Sequence, residues 1–175
     1  MGSGNAGTTN TLRTMGKGAA AMVFVFDILK GCLVPLVLIL TGDKPWMPIF
    51  VTTCLTMAYI YAFFAVVGHC FPLYYGFKGG KGIATAAGAL LVISPAATGL
   101  ALVEFVVLMV LFRYVSLSSI VAVMNIVIFT ALLYPGQLRL LTITLAIAIL
   151  AIYKHKSNIV RLRNGEESTM FYKKK

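Results

Sequence analysis

Apolar residues in this chain come in long blocks, and polar residues are gathered between them. Six apolar segments stand out, at residues 19–41, 46–67, 83–94, 95–112, 116–134 and 138–153. A helix that crosses a bilayer takes about 20 predominantly apolar residues. The segment at 83–94 falls short of that, so it is either a tilted crossing or a broken, re-entrant piece that lines a cavity. The "SP" pair at 94–95 reads as a turn between segments rather than a helix interior. The pattern predicts an all-α, polytopic transmembrane helix bundle of about six membrane segments, one of them short or broken. Residues 1–175 form a single integral-membrane domain, because the length leaves no room for a separate soluble unit.

Composition points the same way. Hydrophobic residues make up 59% of the chain and charged residues 11%, with mean hydropathy +0.92; soluble domains carry about a quarter charged residues. On a soluble protein the net charge of +10 would raise nucleic acid as a partner. Here the basic residues lie mostly between apolar blocks, which favours membrane lipid headgroups or an anionic substrate and leaves no role for nucleic acid. Cys32, Cys54 and Cys70 are too far apart for a paired-cysteine metal motif and read as packed free thiols, so no metal is expected.

The basic residues also set an orientation. If all six segments cross, residues 1–18, 68–82, 113–115 and 154–175 share one side, which then carries twelve of the fifteen lysines and arginines. The other side carries Lys44 and Arg139. The positive-inside rule puts the first group in the cytoplasm. Three charges remain inside apolar blocks. Asp27 and Lys30, three apart, neighbour each other on one helix face, and they serve either as a packing pair or as part of a site. Glu104 has no partner nearby in sequence and calls for a polar group on another helix.

Chemistry is concentrated in three polar stretches on that cytoplasmic side. The first is "YGFKGGKG" at 75–82, directly before the segment that begins at Ile83. Glycines allow backbone N–H groups to turn toward an anion, a helix N-terminus adds positive potential, and lysine adds a full charge. It is not a P-loop, because Lys81 is followed by Gly82 rather than Ser or Thr. A flexible connector with headgroup-binding lysines is the competing reading. The second stretch, "GSGNAGTTNTLR" at 2–13, offers Ser3, Asn5, Thr8, Thr9 and Asn10 for hydrogen bonding and Arg13 as a phosphate fork. A frayed terminus fits the same composition. The third, "YKHKSNIVRLRNGEE" at 153–167, puts His155 and Asn158 on one helix face, where histidine can move a proton and asparagine can orient it or hold a substrate oxygen. A lipid-binding basic segment is the alternative there.

Taken together and in order, "GSGNAGTTNTLR", "GHCFPLYYGFKGGKGIAT" at 68–85 and "YKHKSNIVRLRNGEE" resemble the three cytoplasmic motifs of the bacterial acyl-phosphate:glycerol-3-phosphate acyltransferases. The likeness runs along nearly the whole chain, including "FDILKG" at 26–31 and "RYVSLSSI" at 113–120. The resemblance implies a multi-pass inner-membrane enzyme with its active site facing the cytoplasm. It implies transfer of a fatty acyl group from acyl phosphate to the 1-position of glycerol 3-phosphate, giving lysophosphatidic acid and phosphate, with no cofactor. It also implies functional coupling to the soluble enzyme that makes acyl phosphate. Residue by residue, Ser3 and Arg13 match the essential serine and arginine of the first motif, with Asn5, Thr9 and Asn10 beside them as substrate contacts. Gly76, Lys78, Gly79, Gly80, Lys81 and Gly82 match the second motif and are implied to hold the acyl phosphate. His155 and Asn158 match the essential pair of the third motif, and Glu167 its terminal, structural acid. Ser116 matches the polar position of the family's "VSL" element.

Two other readings compete. Acyl-CoA-dependent glycerolipid acyltransferases carry a His-x4-Asp pair, but Tyr74 and Val160 stand five residues after His69 and His155. A small transporter or channel for an anionic solute would also carry intramembrane charges and a glycine break, yet transporter folds are often built from internal repeats and none is visible. In the family the first motif follows a membrane-spanning helix, whereas Ser3 is the third residue here. The chain is therefore expected to be an N-terminally shortened version.

Overall fold

The computed structural model describes residues 5–42 and 48–170, and regular structure among them is helical. Ser3, Lys44 and Lys173 to Lys175 lie outside the described residues. The helices are α1 (Thr8–Met15), α2 (Lys17–Gly42), α3 (Pro48–Cys70), α4 (Ile83–Ile93), α5 (Pro95–Phe112), α6 (Val115–Leu133), α7 (Leu138–Lys154) and α8 (Lys156–Arg163), with one 3₁₀ turn at Leu73–Tyr75. By length and composition α2, α3, α5 and α6 are able to cross a bilayer, and α7, bent by 57° from α8, passes the same test only when the two are taken together. The protein is an integral membrane helix bundle.

The short segment takes a specific form. Eleven residues of α4 reach only about 16 Å at 1.5 Å per residue. Gly82, which starts it, packs on the side chain of Val66, one turn back from the end of α3. The chain thus turns inward after α3, and α4 begins inside the bundle instead of at its rim. It stops at Ser94 because Pro95 has no N–H to continue the helix; α5 leaves from there with its proline in the first turn, where that loss costs nothing.

Lipid tails give apolar helices no hydrophobic reason to associate, so their packing depends on close approach between small residues. The buried core follows that rule: Ala58, Ala62, Ala86, Ala89, Ala97, Ala101, Ala148 and Ala151 are all buried. The tightest crossing is between α2 and α4. A Cβ on Gly31 would overlap the Thr85 carbonyl, and one on Gly88 would overlap the Ile28 carbonyl. Backbone meets backbone at both points.

Several intramembrane polar groups are paired. Asn125 of α6 donates to Glu104 of α5, the interhelical partner that the lone acid called for. Lys30 pairs with Asp27 along α2. At one end of the bundle Ala96 N–H donates to the Tyr134 hydroxyl (3.2 Å) and Arg139 to Thr56 (3.1 Å). The glycine loop, the α5–α6 turn and α8 gather at the opposite end with α1. The first polar stretch, read from sequence as part of a loop over 1–18, is helical from Thr8: the Thr11 and Thr14 hydroxyls bond back to the Gly7 and Asn10 carbonyls, and α1 lies along α2. The basic tail at 154–175 likewise contains α8.

Candidate active site

The site is built around the bend between α7 and α8. His155 sits at that bend and its side chain is buried. Its Nδ1 is 2.7 Å from the Ala151 carbonyl, which only accepts, so Nδ1 carries the proton and Nε2 the lone pair. Burial lowers the ring's pKa to about 4; the Lys81 ammonium adds to that, while the Ala151 bond and the Glu167 carboxylate pull the other way. The imidazole is neutral at physiological pH.

One turn on, Asn158 is also buried. Its amide nitrogen donates to Glu167 Oε1 at 2.7 Å, while among the described residues its Oδ1 has no hydrogen-bond partner. A buried carbonyl without a donor costs free energy until something supplies one, and a substrate hydroxyl would.

Glu167 is the hub. Besides Asn158 it accepts from Ser116 Oγ at 2.8 Å and from Arg161 Nε at 2.7 Å, and its side chain is 6% exposed. Burial alone would raise its pKa, but these three bonds hold it below the usual carboxylate range. The segment carrying it is pinned by the Met170 N–H, which donates to the Arg113 carbonyl at 2.9 Å. Arg13 reaches the same segment, donating to the Ser168 carbonyl at 3.3 Å. The first and third polar stretches therefore meet.

Lys81 completes the cluster. Burial lowers its pKa to about 8, against the pull of Glu167; Arg161 and Arg13 are near enough to lower it further. The loop that carries it is fixed by α3. Gly79 and Gly80 N–H donate to the Cys70 and His69 carbonyls, both at 3.2 Å, and Lys154 Nζ also reaches the Cys70 carbonyl at 2.8 Å. These bonds satisfy carbonyls at the end of α3, which have no partner within the helix. No side chain fits at either glycine: at Gly79 it would meet the His69 carbonyl and Pro72, and at Gly80 the His69 ring and the Ala6 carbonyl. Gly82 adopts φ +79° to enter α4.

The structure thus brings Arg13, Lys81, Ser116, His155, Asn158 and Glu167 together at one end of the bundle. It alters the expected task of Gly79 and Gly80, whose amides close α3 rather than face an anion. The positive potential of this loop comes from Lys81 and the first turn of α4. Gly76 and Lys78 lie exposed on the outer edge of the loop. Asn5, Thr9 and Asn10 are half-buried in the first stretch, next to Ala6, whose carbonyl abuts Gly80. Arg161 was not singled out from sequence, although its spacing of three from Asn158 puts both on one face of α8. Among the described residues no group of His, Cys and acidic side chains is arranged to hold a metal ion.

Comparison with known proteins bears on this geometry. Residues 1–165 match the family model described as glycerol-3-phosphate acyltransferase. A glycerol-3-phosphate acyltransferase of Francisella tularensis subsp. novicida is 41% identical over 170 residues, which is 96% of this chain and 76% of that protein. One from Listeria monocytogenes serovar 1/2a is 42% identical over 171 residues, 95% of this chain and 79% of that protein. Two crystal structures of PlsY (YgiH), an integral membrane glycerol 3-phosphate acyltransferase, superpose on the fold at 34% identity. Its glycerol 3-phosphate form gives a TM-score of 0.83 over 96% of this chain and 79% of that one, and its lysophosphatidic acid form 0.81 over 95% and 80%. An all-helical membrane bundle with a cationic, histidine-bearing site at one end, matched along its length by these enzymes, belongs to the glycerol-3-phosphate acyltransferase family and is a membrane acyltransferase.

Proposed function

We propose that this enzyme transfers a fatty acyl group from acyl phosphate to the 1-hydroxyl of glycerol 3-phosphate, releasing lysophosphatidic acid and phosphate. The observation that carries the reading is the convergence of Lys81 and Arg161 on the one carboxylate of Glu167, with Arg13 on the adjacent Ser168 carbonyl, beside a neutral His155 and an Asn158 Oδ1 without a partner among the described residues. Two phosphorylated substrates repel each other, and three cations against one acid offset that repulsion. A mixed anhydride is already activated, so positioning and charge stabilisation supply most of what the enzyme must add.

In the step itself, the substrate hydroxyl oxygen attacks the acyl carbonyl carbon. The new ester C–O bond forms, the bond from carbonyl carbon to phosphate oxygen breaks, and phosphate leaves with that electron pair. Asn158 Oδ1 accepts the hydrogen bond of a glycerol hydroxyl, and Glu167 keeps the amide in that orientation. The hydroxyl proton has two acceptors available to this chemistry, His155 Nε2 and a phosphate oxygen of the donor. Lys81 and the α4 N-terminus hold a substrate phosphate together with Arg13 and Arg161, and Asn5, Thr9 and Asn10 of the first stretch add hydrogen-bonding contacts. The site faces the cytoplasm of the inner membrane, where glycerol 3-phosphate and a soluble supplier of acyl phosphate are at hand.

The test is reconstitution in lipid vesicles with acyl phosphate and glycerol 3-phosphate. Consumption of acyl phosphate that requires glycerol 3-phosphate, with equal release of phosphate and lysophosphatidic acid, is the expected result. Acyl phosphate left intact would overturn the donor assignment; anion uptake into the vesicles without acyl transfer would favour a transporter.

A further inference from the structure

A second polar cluster lies just behind the glycine loop. Asp27 and Lys30 of α2 both reach His69, in the last turn of α3. Lys30 Nζ pairs with Asp27 Oδ1 and stands 2.7 Å from His69 Nδ1, and Asp27 Oδ1 is 3.3 Å from the same nitrogen. An ammonium group has donors only, so Lys30 donates to both partners and His69 Nδ1 presents its lone pair. The ring proton is then on Nε2. The Tyr61 hydroxyl donates to the Lys30 carbonyl at 3.0 Å, which also ties α3 to α2. The His69 side chain is 8% exposed.

The far edge of that ring is where Gly80 rests. A Cβ at Gly80 would overlap His69 Nε2 and Cε1 on one side and the Ala6 carbonyl on the other. The His69 carbonyl also accepts the Gly80 N–H. One residue of α3 therefore holds Gly80 twice, by backbone and by ring, and Lys81 follows directly in the chain. A pair that only packed α2 on itself would need no third member, and a histidine that only filled space would need no fixed tautomer.

We propose that Asp27, Lys30 and His69 form a positioning device for the glycine loop: they lock the His69 ring, Gly80 is seated on it, and Lys81 and the start of α4 are thereby held at the height of His155 and Asn158. The substrate consequence rests on the proposed role of Lys81; the seating itself does not. His69 is a positioning residue, because it acts through Gly80 and Lys81.

The experiment uses the full chain in bilayers, with kinetics expressed per folded enzyme. Lys81→Met identifies which substrate's KM the loop controls. His69→Ala, Asp27→Asn and Lys30→Met are expected to raise that same KM by about five- to tenfold, the size of one lost hydrogen bond, with kcat changed far less. Lys30→Arg, which keeps the donors, restores most of the loss. If His69→Ala does not fold, His69→Gln takes its place. Gly80→Ala pushes a methyl group into the ring, so combining it with His69→Ala is expected to cost less than the sum of the two single changes. KM values left unchanged in the three cluster variants, or raised only for the substrate that Lys81 does not govern, would overturn the proposal. Should Lys81→Met leave both KM values untouched, the phosphate role of Lys81 fails. The seating is then decided by the double variant alone: non-additive effects support it and additive ones refute it.

Discussion

Replacing Glu167 with alanine removes the acceptor of three hydrogen bonds at once. All three are 2.7–2.8 Å long and end on a carboxylate whose side chain is 6% exposed. A hydrogen bond to a charged group contributes about 1.5–3 kcal/mol. Arg161, at 37% exposure, regains part of its share from water. Ser116 and Asn158 are buried and regain little. The loss is then about 3–5 kcal/mol, that of breaking a buried pair, and thermal unfolding should come roughly 10 °C earlier. Activity should fall by roughly 100-fold, because Asn158 loses the bond that aims its free oxygen and small misplacements are costly in rate. Glu167→Gln keeps an oxygen for the two donors at Oε1 but turns an amide toward Arg161, so it should cost about 1–2 kcal/mol. The acid side provides a further check. The folded pKa of Glu167 lies below its unfolded value, so its stabilisation is complete above about pH 4.3 and is lost as pH falls through the folded value. The Gln variant should lack that loss. Unfolding in lipid–detergent mixtures and glycerol-3-phosphate-dependent phosphate release are the two assays. A Glu167→Ala enzyme with wild-type melting and turnover would refute the hub, and a Gln variant as damaged as the Ala variant would refute the hydrogen-bond accounting.

Lys81 discharges as pH rises through about 8, so the KM of one phosphorylated substrate should climb above that pH; in Lys81→Arg the climb should vanish, and a shared alkaline limb would contradict the assignment. For the empty enzyme the sign is opposite: the unfolded chain holds a proton up to about pH 10.4 that folded Lys81 has lost, so stability should rise with pH between those values. His155→Ala should insert into the membrane yet lose most of its kcat, and retained turnover would leave the buried ring only a packing role. Gly31→Ala should cost about 1–3 kcal/mol by overpacking and separate α2 from α4; wild-type melting would deny the close crossing. With Lys78→Cys and Leu138→Cys, exposed at opposite ends of the bundle, an impermeant thiol reagent added to intact cells should label only the second, and the reverse pattern would invert the topology.

What the sequence made legible follows from which forces act locally. Apolar blocks must become helices in lipid because each backbone group has to be satisfied within its own segment, so the block at 19–41 became Lys17–Gly42 and the one at 116–134 became Val115–Leu133. The shortness of 83–94 was visible for the same reason. Its inward start was not, since that depends on Gly82 meeting Val66, a contact between residues sixteen apart. His155, Asn158 and Arg13 stood out because polar chemistry is rare in such a chain. The glycines misled in part: Gly79 and Gly80 look like an anion cradle, but the carbonyls that claim their amides sit on the preceding helix. Arg161 and His69 drew no attention as site residues because a basic tail and a helix end offer ordinary reasons for both.

The 57° bend at His155 also bears on which concentrations the enzyme would respond to under the proposed reaction. It falls where the apolar sequence of α7 gives way to the basic α8, the change of composition expected where a chain passes from lipid to water. Under the proposed reaction one substrate arrives from each phase. Glycerol 3-phosphate is counted in three dimensions, in moles per litre of cytoplasm, while an acyl donor with a fatty chain is counted in two, as a mole fraction of the membrane. Adding inert lipid at fixed total donor would then slow the reaction by surface dilution, and adding water would not. Under that reaction, flux through the site would be set partly by how much bilayer the cell has already made.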